Sequence, residues 1–168
     1  MEQAGLCRMA QRVKRQLRLA QTSPLTEDTM AAIPLVLDTN AALDWLLFND
    51  PGMRALAAAI QAGQLQWLAC ERMREELSHM LHHNSLARWQ PDAAASLALF
   101  DRWAQLRPLP DASPTVRCTD VDDQMFVDLA LAHGARWLVS HDRAILKLGR
   151  KLRLHGIGVL KPAQWLGP

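Results

Sequence analysis

An α/β protein built on a mainly parallel, covered sheet is what this sequence predicts, and three observations carry the prediction. From Ile33 onward, short apolar runs alternate with longer segments of helical period, the pattern of strand-helix-strand units. The chain has 168 residues, 49% of them apolar and 21% charged, enough to close one core without metal or disulfide staples. Two apolar runs also end in acid-bearing segments, Leu35-Val36-Leu37 in Asp38 and Trp137-Leu138-Val139 in Ser140-His141-Asp142.

The elements follow in order. Ile33 to Leu37 reads as the first strand and Ala41 to Phe48 as a helix. Asp50-Pro51-Gly52 opens a second helix that runs to about Gln61, with Gly63 as its stop. Leu65 to Ala69 reads as the second strand and Glu71 to His83 as a helix. Pro91 to Leu106 is an alanine-rich helix closed by Pro108 and Pro110, and Thr115 to Cys118 reads as a short strand. Asp122 to His133 is a helix ended by Gly134, Arg136 to Ser140 a strand, Arg143 to about Gly149 a helix, and Ile157 to Leu160 the last strand. Residues 1–32 lie outside this pattern and read as a basic extension, helical or loose, ahead of a domain at 33–168.

Charge is unevenly placed. The net charge is +2, but residues 1–32 hold Arg8, Arg12, Lys14, Arg15 and Arg18 against Glu2, Glu27 and Asp28, which leaves the rest balanced. Cys7, Cys70 and Cys118 form no CxxC pair, which argues against a disulfide framework or a zinc ribbon. Asp38 and Asp44 interrupt the most hydrophobic region, and the basic start does not lead into an apolar export core. A location in the reducing cytoplasm, away from membranes, is the expectation.

The chemistry lies in the acids. In open parallel sheets, ligands bind beyond the carboxyl ends of the strands, where Asp38 and Asp142 stand. Asp120, Asp122 and Asp123 gather where the helix toward His133 begins. Met73, Leu77, Met80 and Leu81 mark the buried face of the Glu71 helix, so Glu76 flanks that face while Glu75 points nearly opposite. Each acid has a plainer reading as a helix cap or boundary residue. Converging carboxylates would repel one another, however, and such a cluster persists when cations neutralise it. An oxygen-only pocket suits magnesium or manganese.

Leu35 to Asn40, Glu76, Asp122-Asp123 ahead of Leu129 to Gly134, and Leu138 to Arg143 together resemble the PIN domain, in the branch of toxin components of bacterial toxin-antitoxin pairs. The likeness runs from about Ile33 to Leu166. It implies a three-layer α/β/α sandwich and a metal-dependent endoribonuclease. It also implies that Asp38, Glu76, Asp123 and Asp142 are catalytic and hold Mg²⁺ or Mn²⁺, with Asn40 and Ser140 in support and Asp120 and Asp122 as alternative metal neighbours. The ions would activate water against the phosphodiester and leave a 5′ phosphate and a 3′ hydroxyl. The chain has no GxSxG and no P-loop, in keeping with chemistry that needs no side-chain nucleophile. His141 occupies a slot that varies in the family and is given no role.

The segment after Asp142 carries Arg143, Lys147, Arg150 and Lys151, which would line one helical face for RNA phosphates if the helix passes Gly149. Glu76 and His79 share the Glu-x-x-His spacing of metal-binding helices, but no second such motif exists. Trp67 and Trp137 read as core, while Trp89 and Trp103 could mark a partner or homodimer surface. The expected partners are RNA and a cognate antitoxin protein. A catalytically silent PIN-like RNA- or protein-binding module is the alternative. A receiver-type phosphorylation domain is weaker, because the strand Leu65 to Ala69 ends in Cys70 where that fold needs aspartate. Flap-type DNA cleavage would require long insertions that this chain lacks.

Overall fold

A computed structural model describes residues 31–111 and 114–167. Residues 1–30 of the basic extension lie outside the described residues.

Five parallel strands form one sheet in the order β3-β2-β1-β4-β5: β1 Ile33–Leu37, β2 Leu65–Ala69, β3 Ala104–Leu106, β4 Trp137–Val139 and β5 Gly158–Leu160. The helices are α1 Thr39–Leu46, α2 Arg54–Gln61 behind a 3-10 turn at Pro51–Met53, α3 Glu71–Leu81, α4 Ala93–Trp103, α5 Gln124–Ala132, α6 Arg143–Lys147 and α7 Gly149–Arg153. Leu35, Val36 and Leu37 are each 0% exposed. Successive strand residues point to opposite faces, so burial of all three means that helices cover both faces of the sheet. The expected three-layer α/β/α architecture is the one found.

Trp67 sits at the centre of one layer, edge-on to Phe100 at 4.9 Å and tilted against Trp45 at 5.7 Å. Trp137 is half-buried and packs edge-on against Trp165. Trp89 is 42% exposed and leans on Phe48, and Trp103 is half-buried. Gly63 and Gly134 hold φ of +73° and +60°, the left-handed conformation that stops α2 and α5 where the sequence places their ends.

Two elements differ from expectation. The helix expected through Leu106 ends at Trp103, where Ala104 turns extended at ψ 138°, and Ala104–Leu106 becomes the edge strand β3 on β2. Trp103-Ala104-Gln105-Leu106 continues the helical pattern locally, so only pairing with Trp67 to Ala69 decides its state. The strand expected at Thr115 to Cys118 is not formed. There the Gln124 side chain does the work of a neighbouring strand: its Oε1 accepts from Cys118 N–H at 2.7 Å and its Nε2 donates to Val116 C=O at 2.9 Å. The helix expected at Arg143 to Gly149 is two short helices joined at Leu148, so Arg143, Lys147, Arg150 and Lys151, all exposed, do not share one continuous helix.

The chain leaves β1 toward β2 and β3 on one side, then returns to fill β4 and β5 on the other. The boundary between β1 and β4 is therefore the switch point of the sheet, where a crevice opens beyond the strand ends.

Candidate active site

The register pairs Leu37 with Val139, so the next residues, Asp38 and Ser140, emerge side by side at the switch point. Asp38 N–H donates to Val139 C=O at 3.0 Å, which extends the ladder to the site itself. Asp38 is 2% exposed and Ser140 0%. The Asp38 carboxylate is divided between two tasks: Oδ1 accepts from Ala41 N–H at 2.6 Å and starts α1, while Oδ2 accepts the Ser140 hydroxyl. Ser140 Oγ in turn accepts from Asp142 N–H at 2.8 Å. Asp142 Oδ1 accepts from Ala144 N–H at 2.5 Å and starts α6. The capping readings of Asp38 and Asp142 are thus correct. They do not compete with a site role, because capping fixes each carboxylate at a strand end and engages chiefly one oxygen.

Glu76 reaches the same place from α3. Met73, Leu77 and Leu81 bury the inner face of that helix, Glu76 is half-buried on its flank, and Glu75 is exposed. Asp123 stands at the start of α5 but makes no capping bond, so its carboxylate is free of the helix end. Asp122 is exposed, and its N–H donates to Asp120 Oδ1 at 3.0 Å. Asn40 is exposed.

Acids from all four elements are close enough to influence one another's ionisation. Asp123 is pushed up to about 7, first by burial and then by the charges of Asp142, Asp120, Asp38 and Glu76. Burial also lifts Glu76 above the usual carboxylate range, with Asp38 and Asp122 adding to the rise while Thr39 and Arg72 oppose it. Asp38 is raised by burial, partly offset by the Ser140 hydroxyl, Ala41 N–H and His141. All six acids expected at the site are therefore electrostatic neighbours. Among the described residues, no three acidic, histidine or cysteine side chains close on one point as a ready-made metal site.

The donor set nevertheless fits a hard divalent cation: it is carboxylate oxygen throughout, and burial, together with the charges of four nearby acids, raises Asp123 to about 7. A cation would relieve that repulsion and draw the oxygens inward. Asp38, Glu76, Asp123 and Asp142 are the residues that would hold it.

Three neighbours went unassigned in the sequence. Thr39 is buried and faces Glu76, yet its hydroxyl makes no hydrogen bond of regular geometry. Its position inside Asp38-Thr39-Asn40 was the available signal. Arg72 precedes Glu76 by one helical turn. His141 Nε2 lies 2.6 Å from Asp44 Oδ2, tying the β4-α6 turn to α1; no short-range pattern connects those two residues.

A parallel α/β domain with acids collected at its switch point belongs to the class of open-sheet proteins that place their ligand site beyond the strand ends. Within that class, the PIN domain family model matches residues 34–144, and the chain belongs to the PIN domain family. PIN domains are typically nucleases that use divalent metal ions. No curated protein is similar enough to count as a relative. Among the described residues, no helix is long and apolar enough to cross a membrane.

Proposed function

We propose that this protein is a metal-dependent endoribonuclease, cytoplasmic, and the toxin of a toxin-antitoxin pair restrained by a protein that covers the acids. The observation that carries the nuclease reading is the clustering of Asp38, Glu76, Asp123 and Asp142 from two strand ends and two helix starts or flanks, with Asp123 raised to about 7 by burial and then by those neighbouring charges. The RNA substrate, the antitoxin and the toxin role rest on the resemblance of the sequence alone.

A bound Mg²⁺ or Mn²⁺ would polarise the scissile phosphate and make water nucleophilic near neutral pH. The protein's own part is positional. Asp38 and Asp142 are fixed by the helix ends they cap, and Ser140 locks one to the other. Asp123, which makes no capping bond and is raised to about 7, is the acid whose proton a loading cation would displace. Exposed Arg143, Lys147, Arg150 and Lys151 would meet RNA phosphates without reading sequence. Residues 33–168 would form the nuclease domain, with the basic extension before it.

The rival reading is a silent RNA- or protein-binding module. It is favoured by the lack, among the described residues, of three side chains that close on one point. RNA cleavage by the purified full chain with magnesium or manganese, with and without chelator, separates the two. Cleavage that chelator stops and that Asp38→Asn and Asp142→Asn abolish supports the nuclease. Cleavage that survives both substitutions rejects this site, and the absence of cleavage in wild type favours the silent module.

A further inference from the structure

A cavity of about 320 Å³ opens beside the acids, lined by Arg72, Glu75, Glu76, His79, Asp122 and Met125. Four of its residues come from α3. Arg72, Glu76 and His79 are four and then three residues apart, so they stand in line along one side of the helix, with Glu75 one step around it. Glu76 and Asp122 belong to the acid cluster. Arg72, Glu75 and His79 do not, and the proposed chemistry leaves them without a task.

Arg72 is exposed and, among the described residues, closes no salt bridge within 4.0 Å, although it is near enough to Glu76 to oppose the rise of that carboxyl. Its fork of donors is therefore open, in a geometry that matches a phosphate. It is also the only arginine or lysine on the cavity wall. His79 offers a flat ring on which a base can stack, and Glu75 offers an acceptor for a base amino group. The volume sits near the lower end, roughly 300 Å³, of pockets that enclose a small ligand. A duplex could not enter such a space, whereas a splayed nucleotide of a single strand could.

We infer that this cavity is a subsite for one nucleotide of single-stranded RNA beside the scissile bond, with Arg72 gripping a non-reacting phosphate, His79 stacking on the base and Glu75 accepting from the base edge. The inference rests on the nuclease reading and adds to it the residues that hold the strand on the α3 side of the acids. A phosphate that does not react is bound equally in ground and transition states, so its loss raises KM and spares kcat.

The experiment measures binding and turnover in the full chain. Binding is read by anisotropy of a fluorescein-labelled single-stranded oligoribonucleotide with chelator present, for wild type, Arg72→Ala, Arg72→Lys, His79→Ala and the remote control Arg102→Ala. Arg72→Ala is expected to weaken binding about tenfold or more and to lower the salt slope of log Kd by about one. Arg72→Lys recovers the salt slope but only part of the affinity, because lysine keeps the charge and loses the fork. His79→Ala weakens binding without changing the salt slope, and Arg102→Ala changes neither. In cleavage with magnesium, Arg72→Ala raises KM while kcat stays within about threefold.

If Arg72→Ala leaves Kd, salt slope and KM unchanged while wild type cleaves, the subsite is rejected and the nuclease stands. If wild type binds in an Arg72-dependent way but never cleaves, the nuclease reading falls and the nucleotide subsite remains. A fall in kcat with KM unchanged also rejects the subsite, since Arg72 would then act on the acids rather than on the strand.

Discussion

Ser140 Oγ–H donates to Asp38 Oδ2 across the β1-β4 boundary, and Ser140 Oγ itself accepts from Asp142 N–H. One fully buried hydroxyl therefore sets the distance between two acids that are far apart in sequence. It also lowers the Asp38 carboxyl against the burial that raises it.

Ser140→Ala follows directly from this bridge. The substitution leaves the buried Asp38 Oδ2 without its donor and the half-buried Asp142 N–H without its acceptor. The expected cost is about 1–3 kcal/mol of stability, read from urea denaturation. Asp38 should become still harder to ionise, so the magnesium concentration for half-maximal cleavage should rise. Unchanged metal dependence and unchanged stability would show that the bridge is idle.

The Asp123 carboxyl gives a pH dependence whose sign is set. Its pKa is raised from 3.8 to about 7 on folding, so the folded state holds a proton that the unfolded chain has released. The associated stability is fully present below about pH 4 and is lost as pH rises toward 7. Burial of Asp38 and Glu76 pushes in the same direction. With chelator present, Tm should therefore decline with rising pH across that window. Asp123→Asn should flatten the decline, and a slope identical to wild type would remove Asp123 from the centre of the cluster.

Metal binding should reverse the same trend. Divalent ions bind the ionised acids, so near pH 6.5 magnesium or manganese should displace protons and raise Tm. Calorimetry in buffers of different ionisation enthalpy measures the release. Asp123→Asn should release fewer protons and gain less in Tm than wild type. Equal proton release in the two proteins would mean that Asp123 was already ionised.

Most of this arrangement was legible in the sequence because it depends on strand ends. Leu35-Val36-Leu37-Asp38 and Trp137-Leu138-Val139-Ser140 are contiguous, and the change from apolar to polar marks both the strand end and the site. Glu76 could be chosen over Glu75 because helical geometry fixes the angle between them. The Asp44-His141 contact and the pairing of Ala104 to Leu106 were not legible, since each depends on a neighbour distant in the chain. The cavity at Arg72 was half legible: Glu76 and His79 stood out by spacing, but which wall they face is a property of the fold.

Asp44 and His141 supply a control on how much an exposed pair can do. Their contact is 2.6 Å, but the side chains are 20% and 44% exposed, so water and salt screen it. Asp44→Ala and His141→Ala should each cost less than about 1 kcal/mol, and a double-mutant cycle should give a coupling of similar size. A coupling of several kcal/mol would make this pair a structural tie comparable to Ser140.

Gln124 tests why an expected strand fails to form. Val116 is buried and Cys118 half-buried, yet their segment has no strand partner. Cys118 N–H and Val116 C=O instead meet the two ends of one side-chain amide, which also donates to Asp128 at 2.8 Å. Gln124→Leu keeps a similar volume but removes both the acceptor and the donor. The expected loss is about 1–3 kcal/mol, with faster amide exchange at Cys118 and in the neighbouring turn that carries Asp120, Asp122 and Asp123. Because that turn positions three acids, RNA cleavage should fall along with its protection. Protection and cleavage that both survive Gln124→Leu would mean that the buried Val116 side chain, rather than the amide clamp, holds the turn in place.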